Sequence, residues 1–401
     1  MTLTADALFA TPNALAPHYS RFRVAERLLL TGHSHQAWPD LGFAAQQQAW
    51  LDAAELVDDK WEKAFAMADR VRAGFARLLE VRGEEIALGA NTHELVARFL
   101  SALPLGKRPR LVTTDGEFHT VRRQLDRLSE EGVEVVRVPA RPADLVAERV
   151  ARMVTDRTAA VLVSAVLYEN AHIVPDLGMA LEACRRFGAE LLVDAYHALN
   201  VVPFSLAAER LEGAYVVGGG YKYCQLGEGN AFLRVPPDCT LRPVFTGWYS
   251  EFALLTSPPI TGPVPYGPGP ARFAGATYDP TSHYRAAAVF DFFEQRALTP
   301  QLLREVSQHQ VGLLTREFDR LGLNPKVINR DRRSVPLEAT AGFLALHASR
   351  AGEISQALHR RGVWTDYRGE TLRLGPAPYL SDRQLEQAVG ALQETVAALG
   401  R

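Results

Sequence analysis

One lysine and one aspartate follow two successive apolar runs in the segment LLVDAYHALNVVPFSLAAERLEGAYVVGGGYKYCQL, residues 191–226. Asp194 ends the first run, and Lys222 follows the second run after three glycines. Ligands of open α/β sheets bind beyond the carboxyl ends of the strands, so both side chains are expected at a ligand site. A lysine amine can form a Schiff base with an aldehyde. The pair therefore indicates pyridoxal phosphate (PLP) chemistry, in which the carboxylate keeps the ring nitrogen protonated and the ring accepts electrons.

The elements that must position these residues alternate along the chain. Short apolar runs predict strands at 86–88, 110–113, 133–138, 159–167, 190–193 and 214–217. Amphipathic stretches between them predict helices at 92–103, 121–131, 145–153 and 177–187. Such alternation predicts an α/β fold whose mostly parallel sheet is covered by helices.

The remaining chain predicts two flanking regions. Three prolines make residues 1–40 irregular, and a Pro/Gly-rich stretch at 257–270 reads as an excursion or a domain junction. Helical patterns and short apolar runs then continue to the C-terminus. We therefore predict an irregular segment at 1–40, a large α/β domain at 41–280 and a smaller α+β domain at 281–401.

Composition excludes several classes of protein. Of 401 residues, 47% are hydrophobic and 22% charged, which excludes a disordered chain, a collagen-like chain and a coiled-coil rod. The formal charge of −2 does not favour electrostatic binding of nucleic acid or of an acidic membrane. Cys184, Cys224 and Cys239 are too few and too loosely spaced for a disulfide framework. With neither a signal-peptide pattern nor a membrane-spanning run, we expect a cytoplasmic protein.

The lysine segment resembles fold-type I PLP enzymes of the class V aminotransferase group, and kynureninases in particular. Kynureninases carry a D-x-x-H-A strand end, matched by residues 194–198, and an S-Y-K-Y motif, matched by residues 220–223 with glycine in place of serine. Cysteine desulfurases of the group have glutamine where His197 stands. The resemblance extends from about residue 30 to residue 380. It implies the PLP-dependent transferase fold with a seven-stranded, mostly parallel sheet.

The resemblance also implies where the cofactor is held. A strand leads into Asn91-Thr92-His93-Glu94, and the N–H groups of a helix start suit a phosphate. Asn91 and Glu94 have capping-box spacing, which is compatible with that role. The family places Thr92, His93 and Tyr221 on the phosphate. Phe118 takes the position that stacks on the ring, with packing in the core as the alternative.

Two further motifs imply a homodimer with shared active sites. Residues 272–277 resemble an R-F-x-x-G-T segment whose threonine, here Thr277, reaches the phosphate of the other subunit's cofactor. Gly247 and Trp248 match a G-W pair that lies near the same phosphate.

The substrate contacts follow from the same resemblance. An arginine at the position of Arg373 holds the substrate's α-carboxylate, for which a planar fork of donors is suited, and a surface arginine is the alternative. His33 and Ser34 align with a G-N-S-L-G segment near the substrate, with histidine in place of asparagine.

Other chemistries fit the sequence poorly. Residues 32–36 lack the second glycine of a serine-hydrolase elbow, and His33-x-His35 has no third metal ligand nearby, so we expect no metal. Residues 218–220 are not a dinucleotide fingerprint. A desulfurase needs a cysteine in the C-terminal part, whereas all three cysteines precede residue 240.

The implied activity is hydrolytic Cβ–Cγ cleavage of L-kynurenine to anthranilate and L-alanine. Lys222 would act as general base, Asp194 would stabilise the protonated ring, His197 would order the hydrogen bonds, and Tyr221 would relay a proton. The chain departs from the kynureninase pattern at His33, Val121, Ser250 and Glu251. A class V aminotransferase or another PLP lyase acting on a different amino acid therefore stays open. A non-enzymatic binding protein on the same fold is a third hypothesis.

Overall fold

The computed structural model describes residues 3–255, 262–330 and 335–399. Within these ranges there are thirteen strands: β1 Leu28–Leu29, β2 Ile86–Gly89, β3 Arg110–Thr114, β4 Glu134–Val138, β5 Thr158–Ser164, β6 Glu190–Asp194, β7 Tyr215–Gly219, β8 Ala231–Arg234, β9 Asn329–Arg330, β10 Leu344–His347, β11 Val363–Trp364, β12 Asp366–Arg368 and β13 Thr371–Leu374. The predicted junction at 257–270 lies partly outside the described residues.

Eleven α-helices occur in the same ranges: α1 Ala5–Phe9, α2 Leu41–Leu56, α3 Lys60–Leu79, α4 Thr92–Ala102, α5 His119–Glu130, α6 Val146–Met153, α7 Gly178–Phe187, α8 Thr281–Gln295, α9 Pro300–Arg320, α10 Ala351–Arg360 and α11 Asp382–Leu399. None of these helices is both long enough and apolar enough to cross a membrane.

A seven-stranded sheet forms the centre of the molecule, with the strand order β2-β8-β7-β6-β5-β3-β4. Strands β3 to β7 pair in parallel, and β8 runs antiparallel to both of its neighbours, β7 and β2. Every residue of β5 is buried, as expected of a strand covered by helices on both faces. The predicted α/β fold is therefore confirmed.

Two details of the sheet differ from the prediction. Strand β5 ends at Ser164 rather than at residue 167, because the chain turns there and Val166 pairs instead with Ile173. The seventh strand, β8, has no predicted counterpart. Its four buried residues carry no alternating pattern that distinguishes so short a strand from a loop.

A smaller antiparallel sheet with the order β12-β13-β10-β9 lies in the C-terminal part. The N-terminal segment joins this part, because β1 pairs in parallel with β11 and the Gly32 N–H donates to the Gly375 carbonyl at 2.7 Å. A Cβ on Gly32 would lie 2.3 Å from the Pro376 carbonyl oxygen, so the close approach requires glycine there. Helix α8 packs against α2 and α3. The domain boundaries at 40 and 280 stay predictions.

Candidate active site

The carboxyl ends of the central strands surround a cavity of about 230 Å³. Asp194 ends β6, Lys222 follows β7 by three residues, and Phe118 follows β3 by four. The start of α4 also lines the cavity, because α4 follows β2, and Gly89 at the end of β2 lies at the same edge of the sheet as Gly219 at the end of β7. The sequence-predicted residues that line this cavity are Thr92, His93, Phe118, Asp194, His197, Tyr221 and Lys222.

Lys222 is buried, with 5% of its surface exposed. Its Nζ lies 2.7 Å from Nε2 of His197. Burial lowers the pKa of Lys222 to about 7, and the charge of Asp194 only partly opposes this effect. The Lys222 amine is therefore partly neutral, and so nucleophilic, near pH 7.

Asp194 presents its carboxylate to the cavity from the end of β6. Its Oδ1 accepts the Tyr196 N–H at 2.9 Å. Burial raises the pKa of Asp194, although the Tyr196 N–H and the charge of Lys222 act in the opposite direction. A cation or a protonated ring nitrogen placed here would restore the electrostatic balance of this buried carboxylate.

Aromatic rings enclose the lysine amine. The Nζ of Lys222 lies 4.5 Å from the ring centroid of Tyr196, 5.3 Å from that of Phe118 and 5.6 Å from that of Tyr221. Tyr168 packs edge-on against Phe118, with 5.3 Å between the centroids. These rings give the cavity flat apolar walls around one reactive amine.

The start of α4 is capped as its sequence predicts. Asn91 has extended backbone geometry, and its Oδ1 accepts the Glu94 N–H at 3.0 Å. Asn91, Thr92 and His93 line the cavity at the positive end of the helix dipole. Nδ1 of His93 contacts Nε2 of Gln124 at 3.2 Å, so the imidazole bridges α4 and α5.

Arg373 and His33 meet at one carboxylate that the sequence analysis missed, Asp366. Arg373 donates from Nε to Asp366 Oδ1 at 2.9 Å and from Nη2 to Oδ2 at 2.5 Å. Nε2 of His33 lies 2.7 Å from the same Oδ1. Burial lowers the pKa of His33 to about 4, so its neutral ring donates Nε2–H to Asp366 at pH 7. Ser34 instead donates its hydroxyl to the Thr31 carbonyl.

Trp248 and Thr277 lie outside this cavity in the single chain. Thr277 lines a larger adjoining cavity of about 1420 Å³, which shares Ala90, Glu228 and Gly229 with the first. Trp248 is 44% exposed and packs against Tyr249, with 4.3 Å between the ring centroids. Their predicted contacts with a second subunit's site stay predictions.

Sequence reasoning also missed a buried carboxyl beneath the cavity. Glu117 accepts the Thr114 hydroxyl at 2.6 Å and the Ser164 hydroxyl at 2.5 Å. Ser164 lines the cavity and pairs with Asp194 across the sheet. Burial raises the pKa of Glu117 to about 7. The available signal was the polar residue Glu117 next to Phe118 directly after an apolar strand.

Thiols are absent from the lining of the cavity within the described part of the chain. Cys184 and Cys224 are buried and free, and burial raises the pKa of both thiols, that of Cys184 to about 12. Cys239 is half-buried and accepts the Tyr215 hydroxyl at 3.0 Å. None of these positions offers a thiolate to a ligand. In the ranges that the structure describes, His, Cys, Asp and Glu also form no cluster able to hold a metal ion.

No family model matches the chain. It is 22% identical over 349 residues to an "uncharacterized aminotransferase YcbU" of Bacillus subtilis strain 168, covering 85% of this chain and 87% of that protein. A C-DES variant with glycine covalently linked to its PLP cofactor superposes with a TM-score of 0.82 at 17% identity, over 94% of this chain and 98% of that one. The chain has the PLP-dependent class V aminotransferase-like fold.

Another solved structure of the same fold is the apo cysteine desulfurase of Thermococcus onnurineus NA1. Its TM-score is 0.76 at 16% identity, over 93% of this chain and 95% of that one. At such identities the likeness establishes the fold alone.

Proposed function

We propose that this protein is a PLP-dependent enzyme that acts on an amino acid, as a class V aminotransferase or another PLP lyase. The observation that carries this proposal is the buried Lys222 amine, with a pKa of about 7, in a cavity that Asp194 and His197 also line. A buried, partly neutral amine is rare unless it has a nucleophilic role.

The donor set of the cavity fits PLP. Tyr196, Phe118 and Tyr221 provide apolar walls for a flat ring, and Asp194 offers a carboxylate to a protonated ring nitrogen. Nδ1 of His197 is buried and has no hydrogen-bond partner among the described residues. A buried nitrogen without a hydrogen-bond partner costs free energy. A bound group with a polar atom beside Nδ1 would reduce that cost.

Each residue of the site would have its own role in the reaction. PLP, when bound, supplies an aldehyde that binds amines covalently and a ring that accepts electrons from the substrate's α-carbon. Lys222 would hold the cofactor and then move the proton at the substrate's α-carbon, for which a pKa of about 7 is well matched. Asp194 would keep the ring nitrogen protonated. The N–H groups at the start of α4 would hold the phosphate, with Thr92, His93 and Tyr221 beside them.

Persulfide chemistry is not part of this proposal, although some structural neighbours are cysteine desulfurases. That chemistry requires a reactive thiolate, and in the described residues no cysteine reaches the cavity. Transamination and lyase reactions at a PLP cofactor do not require a thiolate.

A second candidate is kynureninase-like hydrolysis of L-kynurenine. The observation that favours it is the 2.7 Å contact between His197 and Lys222, because this histidine distinguishes kynureninases from the desulfurase branch in the motif comparison. The substitutions at His33, Val121, Ser250 and Glu251 favour a different amino acid.

We also propose that the protein is a homodimer. Exposed apolar residues cluster at 244–255, and we call these the 244–255 patch: Val244, Phe245, Trp248, Phe252 and Leu255. Contiguous apolar surface of this kind marks interaction sites. The patch contains Trp248, and Thr277 lines the cavity beside the active site, as expected if each subunit completes its partner's site.

Absorbance tests the cofactor assignment. The purified protein supplied with PLP is expected to show a visible absorbance band, and borohydride reduction should attach the cofactor mass to the peptide that contains Lys222. Lys222→Ala should lose both signals, whereas the exposed-surface control Lys326→Ala should keep them. Cofactor mass on another lysine would contradict the proposal.

Product analysis separates the two candidate reactions. Turnover of amino acids that depends on a keto-acid acceptor supports an aminotransferase, and acceptor-independent release of an amino acid's side chain supports a lyase. Release of anthranilate from L-kynurenine without an acceptor would support the second candidate.

A further inference from the structure

Glu117 is a buried carboxyl that the proposed reaction does not use. It lies directly before Phe118, and only 3% of its surface is exposed. Its two oxygens take one hydroxyl each, because Oε1 accepts from Thr114 at 2.6 Å and Oε2 accepts from Ser164 at 2.5 Å. Ser164 also lines the cavity. A single hydroxyl therefore joins this buried carboxyl to the active site.

The two hydroxyls differ in how freely they can turn. Oγ1 of Thr114 donates to Glu117 and also accepts the Gly116 N–H at 3.1 Å, so this hydroxyl is held from both sides. The Ser164 hydroxyl makes one hydrogen bond within the described residues, the one to Glu117. If it turns away from Glu117, its proton points into the cavity. Ser164 is therefore the one of the two hydroxyls that can reverse its hydrogen bond.

The charge of Glu117 decides which way the Ser164 hydroxyl points. An ionised carboxylate can only accept, so both hydroxyls donate to it. A protonated carboxyl has an O–H of its own, and a lone pair of Ser164 Oγ can accept it. The serine proton then needs another acceptor. Burial raises the pKa of Glu117 to about 7, so both states of the carboxyl occur near neutral pH.

Asp194 is placed to accept that serine proton. Ser164 and Asp194 are direct partners in the parallel pairing of β5 and β6, and the Ala165 N–H donates to the Asp194 carbonyl at 2.9 Å. Both side chains line the cavity, as expected of paired residues on one face of a sheet. Oδ1 of Asp194 accepts the Tyr196 N–H, so Oδ2 is the oxygen that stays available among the described residues.

The titratable groups that face the two carboxyls come from the ends of β6 and β7. The charge of Asp194 raises the pKa of Glu117, and the charge of Lys222 lowers the pKa of Asp194. Tyr196 and Tyr221 also face Asp194, and both stay neutral because burial, reinforced by that carboxylate, raises their pKa values. Among these groups, Glu117 and Lys222 titrate near pH 7.

We propose that Glu117 is a positioning residue that acts on the cofactor ring through Ser164 and Asp194. When Glu117 carries a proton, its O–H donates to Ser164 Oγ and the serine O–H turns to Asp194. When Glu117 releases the proton to water, Ser164 turns back and donates to Glu117, and Asp194 offers its full charge to the ring nitrogen. This role rests on the proposed function, because it requires a bound PLP ring.

The reversal would help the site to keep the ring nitrogen protonated. A hydrogen bond from Ser164 disperses part of the negative charge of Asp194, so the carboxylate attracts a ring proton less strongly while Glu117 is neutral. As the solution becomes more basic, Glu117 ionises and that hydrogen bond is withdrawn. The site therefore holds the ring proton most tightly under the conditions that favour its loss.

Nuclear magnetic resonance of PLP labelled with nitrogen-15 in its ring tests this role in the holoprotein. The ring nitrogen signal is followed from about pH 5 to about pH 9 in the wild type and in Glu117→Gln, whose amide does not titrate. Changes caused by other titrating groups are common to both proteins and cancel in the difference. We expect a step in the difference, centred near pH 7. Profiles that superpose would overturn the proposed role.

Ser164→Ala and Thr114→Val separate the two hydroxyls, each variant being compared with its own Glu117→Gln double variant. Of the two described hydroxyls that bind Glu117, that of Ser164 lines the cavity. Ser164→Ala should lose most of the step, and Ser164→Thr should restore it. Thr114→Val should keep the step and move its midpoint upward, because the Glu117 carboxylate loses a donor. Equal steps in Ser164→Ala and Thr114→Val would also overturn the role.

The state of Lys222 distinguishes a failure of this role from a failure of the proposed function. If PLP is attached to Lys222 and the profiles superpose, the role of Glu117 alone is refuted. If borohydride fixes no PLP on Lys222, the proposed function fails. Infrared spectra of the apoprotein need no cofactor, and the difference between wild type and Glu117→Gln should contain the carbonyl stretch of a neutral carboxyl below pH 7. Absence of that band would overturn the role as well.

Discussion

Nζ of Lys222 lies 2.7 Å from Nε2 of His197, in a buried contact between the ends of two neighbouring strands. Both groups have lowered pKa values, for which burial is the largest cause. The contact therefore joins a largely neutral imidazole to an amine that titrates near pH 7. The charge of Asp194 favours the ammonium form of Lys222 but does not outweigh the effect of burial.

The rate of cofactor binding should report the pKa of Lys222. Only the neutral amine attacks an aldehyde, so the rate constant for PLP binding to the apoprotein should rise about tenfold between pH 6 and pH 8 and then level off. Stopped-flow absorbance measures this rate. A rate that kept rising to pH 10 would show that the lysine has an ordinary pKa.

Glu117 should make the stability of the apoprotein depend on pH. Its pKa is about 7 in the folded protein and near 4.5 when unfolded, so the folded state holds the proton more tightly. The stabilisation that Glu117 provides through this bound proton is fully present below pH 4.5. As pH rises from 4.5 to 7, the free energy of unfolding should fall by about 3 kcal/mol. Urea denaturation measures the loss.

Glu117→Gln is the control for that prediction, because its amide cannot titrate but can still accept a hydroxyl from Thr114 or Ser164. The wild type should lose about 3 kcal/mol more stability than the variant as pH rises from 4.5 to 7. If the two proteins kept parallel pH profiles, Glu117 would be excluded as the titrating group.

Gly219 should be intolerant of a methyl group. A Cβ there would lie 2.6 Å from Oη of Tyr196 and 2.8 Å from its ring, so Gly219→Ala should displace Tyr196 and cost about 1–3 kcal/mol of stability. Gly106→Ala is the matched control, since no atom lies within 4 Å of its Cβ. Chemical denaturation compares them, and equal stability losses would contradict the predicted clash.

The 244–255 patch should control the oligomeric state. The double variant Trp248→Glu, Phe252→Glu places two charges on apolar surface and should convert a dimer to a monomer without lowering helix content. Analytical ultracentrifugation measures the mass. Met179→Glu alters an exposed apolar residue on α7 and should stay dimeric. A monomeric wild type would contradict the homodimer.

Local patterns were enough to predict most of the large sheet and the centre of the site. The strand ends that place Asp194 and Lys222 are short buried runs, and the cap at Asn91 depends on residues three apart. Such signals act over a few residues, so they can be read from the chain before folding. Parallel pairing then brings strand ends together at one edge of the sheet.

Only the tertiary structure decided the contacts between residues that lie far apart in the sequence, because folding joins residues that have no local relationship. Asp366 is bound by His33, which is 333 residues away, and Arg373 donates to Tyr168, which is 205 residues away. No spacing rule encodes these contacts. They nevertheless engage the donors of Arg373, the arginine that the sequence motif indicates for the substrate carboxylate, in a buried ion pair with Asp366.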